Sequence, residues 1–95
     1  MPYAASKAGI IGLTYTLAYQ LAEYNITVNA IVPGQILTET HRRIMTPTML
    51  ESLREKIPVG RFGKPEEVAH TVIFLLENDY ITAEVIHVCG GLIPG

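Results

Sequence analysis

The sequence predicts an α/β fold on a parallel sheet, in the order helix, strand, helix, helix, strand. Three observations carry this. Residues 26–32 and 84–89 are short apolar runs rich in β-forming side chains. They are apolar on both faces, as in strands that run inside a parallel sheet. A helical pattern opening at Pro65 stands between them. That makes it a crossover, which implies parallel strands and a right-handed connection. Two strands cannot protect both of their edges, so the chain reads as one end of a larger open sheet.

The first element spans residues 3–24, which hold no Pro and only Gly9 and Gly12 as glycines. Ala4, Ala8, Ile11, Tyr15, Ala18 and Ala22 recur at helical spacing. Ile10, Leu13, Leu17, Leu21 and Tyr24 form a second stripe, so two faces of one helix are expected to be covered. The glycines cost helix propensity but allow close backbone approach. The strand at 26–32 follows and ends at Pro33-Gly34. Asn29 interrupts its apolar character, and an amide placed there needs partners. It is expected to tie neighbouring loops together.

Residues 35–57 are mixed and polar. Thr46-Pro47 marks a helix start with Pro at the first position, while Thr48-Met49-Leu50-Glu51 also matches a capping box. Either start gives a short helix through Lys56, ended by Pro58. A turn at Gly60–Lys64 leads to the Pro65 helix, whose Glu66 and Glu67 suit the positive end of the helix dipole. Asn78 and Asp79 stop it, and Gly90-Gly91 close the final strand.

The composition sets limits. The chain has 95 residues, 48% of them hydrophobic and only 17% charged. A domain of this size buries only about 60–65% of its unfolded surface. So few charges therefore imply that some apolar surface meets more protein. A net charge of −2 disfavours nucleic acid and anionic membranes as partners. No apolar run has the length of a membrane span, and no secretory signal opens the chain. Cys89 is the only cysteine, which excludes an internal disulfide and fits a cytoplasmic protein.

Tyr3 and Lys7 are the candidates for chemistry, the alternative being a helix-surface tyrosine beside a solvated lysine. They stand four residues apart at the start of the first helix, and so share a face. A free phenol ionises near pH 10, too high for proton exchange at neutrality. An ammonium one turn away favours the phenolate, so the pair can trade a proton with a carbonyl or an alcohol. His41, His70 and His87 fall on different elements without ligand spacing, so no metal site is expected. No base neighbours Cys89, which reads as a small strand residue, and Arg42-Arg43 read as a solvated pair.

The run Tyr3-Ala4-Ala5-Ser6-Lys7-Ala8-Gly9, with Gly12-Leu13-Thr14, resembles the active-site segment of the short-chain dehydrogenase/reductase family. So do Ile26–Gly34, Ile57–Ala69, Tyr80-Ile81-Thr82 and Val88-Cys89-Gly90-Gly91, in family order. The resemblance spans essentially the whole chain and is nearest to the 3-oxoacyl-carrier-protein reductases. It implies a doubly wound, Rossmann-like fold and hydride transfer between NAD or NADP and a ketone or secondary alcohol, possibly of a carrier-linked acyl chain. By the same resemblance Tyr3 is the general acid/base. Lys7 lowers the phenol's pKa and bonds the nicotinamide ribose, and Pro33 and Gly34 shape the turn beside the nicotinamide. The Ile36 backbone bonds the carboxamide, and Thr38 supports the cofactor nearby. Read alone, Pro33-Gly34 is a strand-ending turn and Thr38 a loop residue or helix cap. A homo-oligomer is also implied.

The resemblance has gaps. The family's Gly-rich pyrophosphate loop and its catalytic Ser and Asn find no counterpart in these residues. Residues 1–95 are therefore expected to be the C-terminal catalytic portion of one domain, without its dinucleotide-binding half. The alternative is an inactive fragment that keeps only oligomerisation surfaces. Ala83 stands where the family usually has Gly, Cys89 where it has Asp or Asn, and Thr40 where Met, Leu or Pro is common.

Overall fold

The computed structural model describes residues 2–92, with side chains from Ala4 onward. Helix α1 runs Pro2–Leu21 and tightens into a 3₁₀ turn at Ala22–Tyr24. Asn25 ends it in the left-handed conformation, at φ 61°, which Asn tolerates better than most residues. Its N–H closes on Ala22 O at 3.0 Å, and Ile26 N–H on Leu21 O at 3.3 Å. The chain then passes into β1 (Ala30–Pro33). Two short helices follow, α2 (Glu39–Ile44) and α3 (Pro47–Glu55). The crossover helix α4 (Pro65–Glu77) leads to β2 (Val85–Val88).

The two strands pair in parallel, Ala30 opposite Val85 through Pro33 opposite Val88. Both α1 and α4 contact β1. The expected strand at 26–32 begins only at Ala30, because side chains take over the pairing before it. Val28 N–H donates to Thr82 Oγ1 at 3.0 Å. Asn29 Nδ2 donates to Ile81 O at 3.1 Å, and Asn29 Oδ1 accepts from Glu84 N–H at 3.0 Å. Asn29 thus ties the start of β1 to the approach to β2, as its interruption of the strand predicts. Ala83 is held opposite, its N–H on Val28 O at 2.8 Å, with a left-handed φ of 64°.

Thr46 settles the start of α3: its hydroxyl accepts from Met49 N–H at 3.2 Å, with Pro47 in the first turn. Helix α2 was not foreseen as an element. Its six residues are too few for a periodic signal, and Thr38, its N-cap, is equally at home in a loop.

The interior is slight. Among the described residues only Ala18, Ile57 and Thr14 are buried, and the Thr14 hydroxyl is satisfied by Ile10 O at 2.6 Å. The covered stripe of α1 runs Lys7, Ile11, Thr14, Ala18, with Leu17 and Leu21 beside it. It takes Ile11 and Ala18 from one expected apolar stripe and Leu17 and Leu21 from the other, and the remaining members of both are exposed. Ile10 and Leu13 stand open, and an added Cβ at Gly9 or Gly12 would meet nothing within 4 Å. Close approach does govern Gly34, where a Cβ would lie 2.8 Å from both Cα and Cβ of Cys89. Only glycine lets the turn after β1 pass the end of β2 this closely.

Candidate active site

Ligands of open α/β sheets bind beyond the carboxyl ends of the strands. Here those ends are Pro33 and Val88. The ladder continues past them, since Gly34 N–H donates to Val88 O at 2.9 Å. The chain then bends against the turn before α4. Gly63 N–H donates to Gln35 O at 2.9 Å, and Leu37 N–H to Gly63 O at 3.0 Å. These two bonds straddle Ile36 in an isolated parallel bridge to Gly63. In such a bridge the straddled residue points its own N–H and C=O to the opposite side. Neither Ile36 N–H nor Ile36 C=O has a backbone partner among the described residues. A Cβ at Gly63 would stand 2.6 Å from Ile36 Cδ1, so a side chain there would push the end of the Ile36 side chain aside.

Two residues on, Thr38 caps α2. Its hydroxyl accepts from His41 N–H at 3.3 Å and lies 2.7 Å from His41 Nδ1. Thr38 N–H reaches the same Nδ1 at 3.4 Å, completing a capping box. The reading of Thr38 as a helix cap is thus realised. The His41 contact has no signature in the sequence, because capping boxes ordinarily carry Glu or Gln at that position.

Lys7 is half-buried on the covered stripe of α1. Position 3 lies one turn earlier on the same stripe by backbone placement. The Tyr3 side chain falls outside the described residues. The structure brings Pro33, Gly34, Ile36 and Thr38 together beyond the end of β1. It sets Lys7 on the helix packed against that strand.

A concavity at the strand ends is lined by Gln35, Arg61, Gly63, Glu67, Cys89 and neighbours, none of them on α1. Its charges are paired. Arg61 donates to Glu67 through Nη1 at 2.8 Å and Nη2 at 2.9 Å. Glu67 also accepts from Lys64 N–H at 2.9 Å, and Arg61 Nη1 reaches Phe62 O at 3.0 Å. The Arg61 hydrogen bonds, then the backbone bond, hold the Glu67 carboxyl down at about 2. Such a forked pair fixes the turn preceding α4, and with it Gly63 beneath Ile36. Sequence reasoning missed this brace, since Arg and Glu six apart across a turn carry no helical signature. Arg43 meets only Glu39, at 4.0 Å, with both side chains over four-fifths exposed, in keeping with a solvated pair.

Parallel strands joined by a crossover helix, with helices packed against them, define an α/β protein. The comparisons narrow this. The family model described as enoyl-(acyl carrier protein) reductase matches residues 1–93. The 3-oxoacyl-[acyl-carrier-protein] reductase FabG of Thermotoga maritima is 52% identical over 97 aligned positions, covering 96% of this chain. Carbonyl reductase family member 4 of Xenopus laevis is 52% identical over 91 positions, covering 95%. The solved structure of YwfH, an NADPH-dependent reductase of bacilysin biosynthesis, superposes on 93% of the chain with TM-score 0.80 at 33% identity. The chain belongs to the short-chain dehydrogenase/reductase family, and its strands and helices are part of that family's Rossmann-like fold. It spans 37% of the FabG relative, 36% of the carbonyl reductase and 38% of YwfH. No helix among the described residues is long and apolar enough to cross a membrane.

Proposed function

We propose that these residues are the C-terminal catalytic portion of an NAD(P)-dependent reductase that interconverts a ketone and a secondary alcohol. The dinucleotide-binding half lies outside them. The observation that carries the reading is the spacing of Tyr3 and Lys7, four residues apart on α1, with Lys7 half-buried on that helix's covered stripe. Both curated relatives are named for reduction of a carbonyl. That favours C=O over C=C chemistry, and a small-molecule or carrier-linked acyl substrate. The bound nicotinamide supplies or takes the hydride.

The residues of this chain have the remaining tasks. Tyr3 gives a proton to the nascent alkoxide in reduction and takes it back in oxidation. Lys7 favours the phenolate by its charge and bonds the nicotinamide ribose. Ile36 and Thr38 fit a primary carboxamide, which offers one acceptor and one donor group. Ile36 N–H is turned outward by its bridge, and Thr38 Oγ1 stands two residues away. Pro33 and Gly34 set the turn that leads to them. A second copy of the chain is proposed to cover the open apolar stripe at Ile10 and Leu13, which are 44% and 59% exposed. Light scattering on the intact enzyme checks this, and a monomer at micromolar concentration refutes it.

The test of the chemistry is Tyr3→Phe in the intact enzyme. Phe keeps the ring and loses the only transferable proton. Proton transfer by a positioned side chain is worth about 10²–10⁴-fold. Turnover is expected to fall by that factor with cofactor affinity nearly intact. A variant within about threefold of wild type, set against the ~10²-fold minimum, removes Tyr3 from the mechanism.

A further inference from the structure

Four of the seven Lys and Arg side chains line one concavity of about 530 Å³: Arg42 on α2, Arg54 on α3, and Arg61 and Lys64 in the turn before α4. Leu37, Phe62 and Pro65 give it an apolar wall, and of the nine Asp and Glu side chains only Glu66 joins the lining. Two of the cations are already matched. Arg54 pairs with Glu51 and donates to Gly60 O, and Arg61 is forked on Glu67. Arg42 and Lys64 have no ion pair among the described residues. These two cations against the one Glu66 leave the concavity a net positive charge, in a chain whose own net charge is −2. Solvent accounts for Arg43, which leans on Glu39 outside this concavity. It does not account for two unmatched cations beside an apolar wall, where an anion is held more strongly than in open water. Leu37 follows Ile36 directly, so the concavity adjoins the turn after β1.

We propose that Arg42 and Lys64 form an anion subsite, which takes a phosphate or carboxylate that the substrate carries away from its reacting carbonyl. This rests on the reading of the protein as a ketone reductase. It makes Arg42 and Lys64 specificity-determining residues, with no part in the chemical step. The Arg42 guanidinium can meet either anion with two parallel N–H groups, and the Lys64 ammonium adds a compact charge. The apolar wall suits the carbon arm that brings the anion there. That arm has two sources: the thiol arm of a carrier-linked acyl group, which ends in a phosphate, or the substrate's own chain, which ends in a carboxylate.

The experiment measures kcat/KM of the intact enzyme on two matched pairs of ketones. One pair is the acetoacetyl thioester of phosphopantetheine and that of pantetheine, which differ only in the phosphate. The other is levulinate and its methyl ester, which differ only in the free carboxylate. A hydrogen bond to a charged group is worth about tenfold or more. Wild type is therefore expected to favour the charged member of one pair by about tenfold. The gain should lie in KM with kcat unchanged, because the subsite holds ground state and transition state alike. It should fade as salt is raised. Arg42→Ala and Lys64→Ala should each cut the preference, the double variant should abolish it, and Arg42→Glu with Lys64→Glu should reverse it. Arg43→Ala is the control and should keep it. The pair that shows the preference identifies the source of the anion. If wild type reduces both members of each pair equally well, no anion is read and the proposal falls, while ketone reduction stands. A preference that survives the double Ala variant also defeats it, since other groups then hold the anion. If none of the four ketones is reduced, the ketone reading fails and takes the proposal with it.

Discussion

Replacing Ala83 by Gly should stabilise the protein, although it removes a methyl group and adds chain freedom. Ala83 sits at φ 64°, in the left-handed region. A side chain there sets Cβ against the following carbonyl, at a cost of about 1–2 kcal/mol. The neighbouring bonds hold the residue there. Ala83 N–H is bound to Val28 O at 2.8 Å, Thr82 Oγ1 takes Val28 N–H, and Asn29 grips residues 81 and 84. Glycine adopts this conformation without strain, and the extra entropy it loses on folding costs about 0.5–1 kcal/mol. Taken at the middle of each range, the balance is a gain of about 0.75 kcal/mol. Urea unfolding of the intact enzyme reads it. With a denaturant slope of about 1–3 kcal/mol per molar, the midpoint should rise by about 0.2–1 M at unchanged slope. Asn25→Gly is the control, because Asn already tolerates φ 61° and should gain less. A midpoint that falls in Ala83→Gly, or rises no more than in the control, would refute the argument that Ala83 is strained.

The remaining predictions concern charge. Glu67 is held at about 2, against an ordinary 4.5, chiefly by Arg61. A carboxyl depressed on folding stabilises above its unfolded value and loses that contribution as pH falls through the folded one. Stability of the wild type should therefore drop between about pH 4.5 and 2 more steeply than that of Glu67→Gln. Parallel urea midpoints over that range decide, and equal slopes would discard the brace. Lys7→Ala should move the pH–rate profile upward and weaken cofactor binding. Lys7→Arg should recover only part, because a planar fork does not replace a compact ammonium. Full recovery in both measures would show that any cation serves.

The fold was legible where side-chain chemistry repeats or breaks locally. Pro65, Glu66 and Glu67 marked α4, Pro33-Gly34 the end of β1, and the lone amide of Asn29 its tie to the other strand. What stayed hidden was set by partners distant in sequence. The covered stripe of α1 could not be chosen, since Ile10, Leu13, Ile11 and Ala18 offer apolar residues nearly all round and only contact with β1 selects among them. The Ile36 bridge depends on Gly63, and the Glu67 brace on Arg61 across a turn. In the site, Tyr3 and Lys7 were read from spacing, and Ile36 and Thr38 from resemblance. The contact between His41 and the Thr38 hydroxyl stayed hidden, because a histidine ring lies outside the usual capping vocabulary.

The register Ala30–Val85 has a temporal meaning. The partner of β1 is made 55 residues after it. At roughly 5–20 residues per second, a growing chain waits about 3–10 s between the two strands. Throughout that interval the apolar run Ala30–Val32 has no β2 beside it, and an unpaired strand edge is a template for the wrong neighbour. Fast local events such as helix formation in α1 and α3 are complete in microseconds and cannot shorten the wait. Newborn chains of this protein therefore pass through a window in which β1 lacks its β2 partner. Slowing the ribosome between codons 33 and 85 should lengthen that exposure without altering the finished structure.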